Sequence, residues 1–215
     1  MSSPTTPASI GPGEFFPVVG VGPHEKPWPE GEQYDPELLL NGDRRNVLDH
    51  YRYWTVEAIV KDLNTKRHKL QIAIENWQHD LNIGSIVRTA NAFNVSGVHI
   101  VGKRDWNKRG AMVTDRYLTV MHHPTIQDFA DYCKEQNLPI IGIDNVPGSK
   151  QLEPAVLPES CVLLFGQEGA GMSDEGIEVC EVLYEIQQYG STRSMNASAA
   201  GAIAMYHWAL QHLPR

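Results

Sequence analysis

At 215 residues, 41% of them hydrophobic, the chain has material for one domain with a sizeable core plus an extension. It contains no apolar run of the roughly 18 residues a membrane-spanning helix needs, so no transmembrane segment is expected. The formal net charge of −8 argues against a nucleic-acid partner only as an average. Residues 61–116 hold ten Lys/Arg against five Asp/Glu, while residues 1–60 hold four against nine and residues 117–215 four against twelve. One basic segment in an acidic chain can grip phosphate locally, because charges act over about 10 Å in salt. A solvated basic face would have the same composition.

Residues 1–35 are dense in proline, with Pro4, Pro7, Pro12, Pro17, Pro23, Pro27 and Pro29 beside several glycines. Such a stretch cannot bury enough apolar surface to fold alone. The expected organisation is a Pro/Gly-rich flexible arm over residues 1–45, a helical extension over 46–67 and the main domain over 68–215. The first ten residues lack a basic region followed by an apolar core, so no signal peptide is expected. Within the extension, residues 36–40 suit a helical turn. Residues 46–63 read as one helix with Val47, Tyr51, Trp54, Ile59 and Val60 as its apolar stripe. Arg44, Arg45, Arg52 and Lys61 would form its rim.

From His68 onward short apolar runs alternate with amphipathic segments. Strands are predicted over 70–75, 98–102, 139–143, 162–165 and 182–186. Helices are predicted over 83–93, 126–135 after a Thr125 cap, 174–179 after a Ser173 cap, and 197–213. This alternation defines the α/β class, a mostly parallel sheet with helices on both faces. Ligands of such sheets bind at the carboxyl ends of the strands. Cys133, Cys161 and Cys180 are odd in number and widely spaced, matching neither a disulfide framework nor a zinc pattern. A reducing cytoplasm is expected, with Cys161 and Cys180 as small buried hydrophobes.

Three polar loops follow predicted strands. The first, Asn82-Ile-Gly-Ser-Ile-Val-Arg88, opens a helix that Asp80 or Asn82 could cap. Six residues are about 600° of helix, so Asn82 and Arg88 do not share a face. An Arg in a concave site binds phosphate or steadies developing charge, and it is a poor base. The second, Leu163-Leu-Phe-Gly-Gln-Glu-Gly-Ala-Gly-Met-Ser173, allows a ligand close to its backbone. It is neither Gly-x-Gly-x-x-Gly nor a phosphate-gripping loop, and Glu168 suits a hydroxyl, a cationic group or an Arg better than phosphate. The third, Glu185-Ile-Gln-Gln-Tyr-Gly-Ser-Thr-Arg-Ser-Met-Asn-Ala-Ser198, offers Gly190, Ser191, Ser194 and Asn196 before a small-residue helix. Taken singly, each loop is also a reasonable tight turn or close-packed helix entry.

In this order and spacing the three loops resemble the signature motifs of the SpoU (TrmH-type) RNA 2′-O-methyltransferases of the SPOUT superfamily, from about residue 71 to the C-terminus. The resemblance implies an α/β domain with a C-terminal trefoil knot, a rare exception to unknotted chains. It also implies S-adenosylmethionine bent within the knot, and a homodimer whose active site draws on both subunits. The reaction implied is methyl transfer to a ribose 2′-hydroxyl of tRNA or rRNA. Matched by position, Asn82, Arg88, Glu168, Ser194 and Asn196 form the implied catalytic set, with Arg88 at the ribose. Backbone around Leu164, Gly166, Ile186 and Met195 is implied to hold the adenosine, with Glu168, Gly171 and Asn196 completing the cofactor set. Arg88 with Arg104, Lys108 and Arg109 would meet RNA, Trp106 offering a surface for base stacking.

One position departs from the family pattern: Gln187 stands where a proline usually pre-sets the turn. A non-catalytic RNA-binding module on the same fold is therefore the alternative. An ordinary doubly wound nucleotide enzyme is disfavoured by the missing Gly-x-Gly-x-x-Gly. His122 and His123 have no accompanying ligand cluster, so no metal is expected. Neither the RNA nor the methylated nucleotide follows from the sequence.

Overall fold

A computed structural model describes residues 20–78 and 82–214. The described residues fall into two compact units that divide between Lys61 and Asp62. In the first, α1 (Pro36–Asn41) starts where Asp35 accepts hydrogen bonds from the Glu37 and Leu38 amides, with Pro36 in the first turn. Val21 pairs with Asp43 and Tyr34 with Trp54 in isolated antiparallel bridges. Asp43 is buried and accepts from the Arg45 guanidinium at 2.7 Å and the Tyr53 amide at 3.0 Å. Burial alone would push its carboxyl up, but these partners hold it at about 2.

That buried pair explains a difference from the sequence expectation. Residues 46–63 do not form one helix: a single 3₁₀ turn (Asp49–Tyr51) is followed by Tyr53 at φ 65° and only then by α2 (Val56–Asn64). Asp43 takes the Tyr53 amide, and Arg45 donates to the Trp54 carbonyl at 2.7 Å, so both groups are withdrawn from helical pairing. Thr55 then caps α2 by accepting from the Ala58 amide at 3.1 Å.

The second unit carries seven strands: β1 (His68–Asn76), β2 (Val95–Gly102), β3 (Val120–His123), β4 (Ile140–Ile143), β5 (Lys150–Gln151), β6 (Cys161–Phe165) and β7 (Val182–Glu185). All pair in parallel, in the order β3-β2-β1-β6-β4-β7-β5. The helices are α3 (Asn82–Ala92), α4 (Ile126–Glu135), α5 (Asp174–Glu178) and α6 (Ala197–His212). Alternate residues of buried β6 serve opposite faces. Leu163 and Phe165 join a core with Ile86 of α3 and Met205 and Trp208 of α6, whereas Val162 and Leu164 join one with Phe129 and Cys133 of α4. This two-sided burial is why β6 reads as an unbroken apolar run.

Register nearly levels the functional end of the sheet. Phe165 pairs with both Ile74 and Ile143, and Ile143 with Tyr184, so β6 and β4 end level, β7 runs one residue further and β1 two. Two strands went unread in the sequence. β5 is a pair of exposed residues, and half of β3 is histidine. Among the described residues no helix is long and apolar enough to cross a membrane. Burial pushes the thiols of Cys133 and Cys161 up to about 12, and half-buried Cys180 likewise, so none is a ready nucleophile.

The histidines of β3 have a structural use. His123 Nε2 meets His99 Nδ1 at 2.9 Å, and the other His99 nitrogen meets Gln71 Oε1 at 2.7 Å, packed beside Phe129 and Tyr132. Burial, and secondarily His123, lowers the His99 pKa to about 3. The native state thus stays unprotonated at His99 while the unfolded chain takes a proton below its ordinary 6.5. Stability present in full above 6.5 should therefore drain as pH falls toward 3, at about 1.4 kcal/mol per pH unit. Urea midpoints measured from about pH 7.5 to about pH 4.5 should fall along this limb in the native protein and less steeply in His99→Gln. Equal slopes in the two proteins would contradict the assignment.

Candidate functional site

At the carboxyl end of β1, Asn76 donates to the carbonyls of Lys103 (2.7 Å) and Asp105 (2.9 Å), holding the loop that leaves β2. The Trp77 amide donates to Gln167 Oε1 at 2.8 Å, joining the end of β1 to the loop after β6. Asp80, one of the two expected caps of α3, lies outside the described residues. At Gly84 a side chain would meet the Ala111 amide nitrogen at 2.7 Å, so α3 and the 3₁₀ turn Arg109–Ala111 touch through backbone.

Asn82, the other expected cap, has its side chain engaged elsewhere. Its Nδ2 donates to Glu168, while its Oδ1 accepts from Asn196 Nδ2 at 2.8 Å. Asn196 also donates to Glu168 Oε2 at 3.2 Å. The remaining Asn196 oxygen caps α6, accepting from the amides of Ser198 (3.0 Å) and Ala199 (3.3 Å). One polar residue from each of the three loops thus meets in a single Asn–Glu–Asn cluster, with the carboxylate as acceptor for both amides.

Beside this cluster is a cavity of about 470 Å³ at the ends of β4, β6 and β7. Residues 166–172 form one side, with Gln167 and Gly171 exchanging backbone hydrogen bonds of 3.0 and 2.9 Å. A Cβ on Gly166 would stand 2.2 Å from Gly171 C and Met172 N, so that loop closes only on glycine. Residues 185, 186 and 188 and residues 193–197 line the opposite side. Asp144 and Asn145, directly after β4, complete the wall. Asp144 accepts from the Met172 amide at 2.7 Å, and Asn145 donates to the Arg193 carbonyl.

Gly166, Glu168, Gly171, Ile186, Ser194, Met195 and Asn196 all line this cavity. Leu164 does not: it is fully buried in the α4-side core. Arg88 is also absent from the lining. It lies exposed on α3 and makes no ion pair among the described residues. Arg104, Lys108 and Arg109 are exposed around the loop after β2. Lys108 is already bound to Asp115 at 3.0 Å and lies 5.3 Å from the half-buried Trp106 ring, so one face of that ring is covered. Gln187 donates its amide to Glu153 at 3.0 Å, a bond that proline could not make. Asp144, Asn145, Gln188 and Arg193 were not anticipated as lining residues. The signal available for Asp144 was its place immediately after a predicted strand. His122 bonds the Gly102 carbonyl at 2.8 Å, and among the described residues no three His, Cys, Asp or Glu side chains gather to hold a metal.

A parallel α/β sheet with a cavity at its carboxyl ends, beside a polar cluster from the loops after β1, β6 and β7, is the arrangement in which such sheets hold ligands. Residues 69–206 match the profile of the SpoU rRNA Methylase family, and the chain belongs to that family. It is 26% identical over 151 residues to the tRNA (guanosine(18)-2′-O)-methyltransferase of Borreliella burgdorferi, covering 69% of each chain. It is 28% identical over 181 residues to a Staphylococcus aureus protein named for the TrmH family of tRNA/rRNA methyltransferases, covering 79% of this chain and 72% of that one. The A. aeolicus TrmH/SpoU tRNA modifying enzyme has the same fold, with a TM-score of 0.63 at 24% identity, covering 73% of this chain and 83% of that one. So does the methyltransferase AviRb of Streptomyces viridochromogenes in complex with AdoMet. There the TM-score is 0.61 at 23% identity, and the match spans 67% of this chain and 61% of that one.

Proposed function

We propose that the protein transfers a methyl group from S-adenosylmethionine to a ribose 2′-hydroxyl of a structured tRNA or rRNA, as a cytoplasmic homodimer. The observation that carries this reading is the Asn82–Glu168–Asn196 cluster at the edge of the cavity, in a chain of the SpoU rRNA Methylase family. The cavity's residues fit the cofactor. Its volume of about 470 Å³ lies within the roughly 300–1,000 Å³ of small-molecule sites. Ile143, Phe165, Ile186 and Met195 offer apolar surface to a purine, and Asp144 and Glu168 supply negative charge toward a cationic ligand.

When bound, S-adenosylmethionine supplies an already activated methyl group. The chain's own task is placement. Residues 166–171 and 195 hold the donor close to backbone, and Glu168, fixed by Asn82 and Asn196, keeps the three loops in one arrangement. Arg88 orients an RNA phosphate and steadies negative charge growing on the attacking oxygen, while the hydroxyl proton passes to a phosphate oxygen. Guanidinium does not take that proton, because it is never neutral in a protein. Arg88 lies outside the cavity of its own chain, which supports a dimer in which it serves the partner's cavity. Exposed Arg104 and Arg109 would add phosphate contacts. The trefoil knot belongs to the same reading, supported by family membership and by β6 entering the sheet between β1 and β4.

Calorimetric titration with S-adenosylmethionine tests the cofactor assignment. The native protein should bind, and Asn196→Ala should bind about tenfold more weakly, a loss of about 1.4 kcal/mol. A native protein that does not bind would contradict the reading. An Asn196→Ala variant of undiminished affinity would remove Asn196 from the donor site.

A further inference from the structure

Glu75 is the penultimate residue of β1 and is fully buried. Nothing proposed so far uses it, yet a carboxylate at zero exposure is rare unless it is fully partnered. Both of its oxygens are directed at one residue. The Ser173 amide donates to Oε2 at 2.9 Å, and the Ser173 hydroxyl donates to Oε1. The same hydroxyl accepts from the Gly176 amide at 3.0 Å, which sets the first turn of α5. Gly176 makes room for this: a side chain there would stand 2.5 Å from Glu75 Oε1. Glu75 and the Ser173–Gly176 turn, 98 residues away, are therefore matched to one contact.

Ser173 ends the loop that forms one side of the cavity. Besides the Glu168 carboxylate held by Asn82 and Asn196, that loop has two further tethers, Gln167 accepting from the Trp77 amide and Asp144 accepting from the Met172 amide. Two of these fastenings, those to Glu75 and Trp77, lie at the end of β1, from which the chain continues to Asn82. The loop after β6 and the entry to α3 are thus referred to the same strand end, and Asn82 and Glu168 meet where those two segments converge.

We propose that Glu75 is a positioning residue of the donor site: its buried carboxylate holds Ser173 and so fixes loop 166–172 in its ligand-binding form. This rests on the donor-site assignment made above, and the test separates the two. Burial raises the Glu75 pKa, while the two Ser173 hydrogen bonds and, after them, the Trp77 indole oppose the rise; the other ionisable groups bearing on it are Glu175 and the Cys180 thiol. Ionised, the carboxylate accepts both Ser173 donors at once. An amide oxygen and nitrogen in its place can accept only one of them.

The experiment compares the full-length native protein with Glu75→Gln, Ser173→Ala and the double variant. Hydrogen exchange across residues 166–173 is followed beside calorimetric affinity for S-adenosylmethionine and thermal midpoint. Each single variant should exchange about tenfold faster in that segment and bind about tenfold more weakly, with exchange in β1 and β2 unchanged. The double variant should be no worse than the more affected single one, because both remove the same contact. Ser173→Ala keeps the test decisive should Glu75→Gln fail to fold. A lowered thermal midpoint with native exchange in residues 166–173 would make Glu75 a core residue only and overturn the proposal. If the native protein fails to bind S-adenosylmethionine, the donor assignment falls, while the exchange rates still decide what Glu75 does.

Discussion

Arg88→Ala is expected to lower the rate of RNA methylation by about 10²–10³-fold while leaving affinity for S-adenosylmethionine within about twofold of native. The split follows from position. Arg88 is exposed on α3 and absent from the cavity lining, so removing it deletes no contact with a donor held there. In the proposed reaction its loss would remove a fixed positive charge from where the 2′-oxygen becomes negative, an effect confined to the transition state. Such a change lowers kcat rather than ground-state binding. Folding should be unaffected, since the side chain is solvated and unpaired with any described acid. Arg88→Lys should recover only part of the rate, because a point charge lacks the planar two-pronged grip on phosphate. Single-turnover methylation with saturating donor checks the prediction, and a full-rate Arg88→Ala enzyme would end the assignment. If the site is shared between subunits, mixing Arg88→Ala with a donor-deficient Gly166→Ala chain should restore activity in the hybrid dimer.

Gly166→Ala should abolish donor binding, with a loss of about a hundredfold or more in affinity. The added methyl would sit 2.2 Å from two backbone atoms of residues 171 and 172. Backbone cannot rotate aside as a side-chain tip can. The loop must open, breaking the paired hydrogen bonds between Gln167 and Gly171 and drawing Met172 from Asp144. Gly169, by contrast, has nothing within 4 Å of such a methyl, though its φ of 87° makes alanine strained there. Gly169→Ala should therefore cost far less than Gly166→Ala in the same titration. Equal losses at the two positions would mean that loop closure against residues 171 and 172 does not shape the donor site.

How much of this could be read from residues alone differs from element to element. Helix α4 matches its predicted bounds because Thr125 and Asp128 form a complete capping box, a signal that needs no tertiary context. Strand β6 was legible as a run buried on both faces. Helix α2 was misread because what stops it is Asp43, a residue outside the expected segment whose carboxylate reaches Tyr53 across ten positions. β3 was missed because His123 is polar in sequence yet buried in the structure, hydrogen-bonded to a buried histidine on the adjacent strand. In the site, six residues of helix turn Asn82 inward and Arg88 outward, which the spacing alone requires. The meeting of Asn82, Glu168 and Asn196 is different. It joins positions 86 and 114 residues apart, and only the likeness to a motif set pointed to it. Asp144 had only its place after a predicted strand to mark it, and Glu75 had no pointer, because nothing in local sequence marks an acceptor for a distant loop residue.

The measurement that bears most directly on the central claim is transfer of labelled methyl from S-adenosylmethionine to total RNA of cells lacking the protein, followed by digestion and separation of the nucleosides. Native protein should produce a nucleoside methylated at the ribose 2′-oxygen, and the product should be lost with Arg88→Ala. Label found on a base, or no label from a protein that binds S-adenosylmethionine and RNA, would contradict ribose methylation as its function.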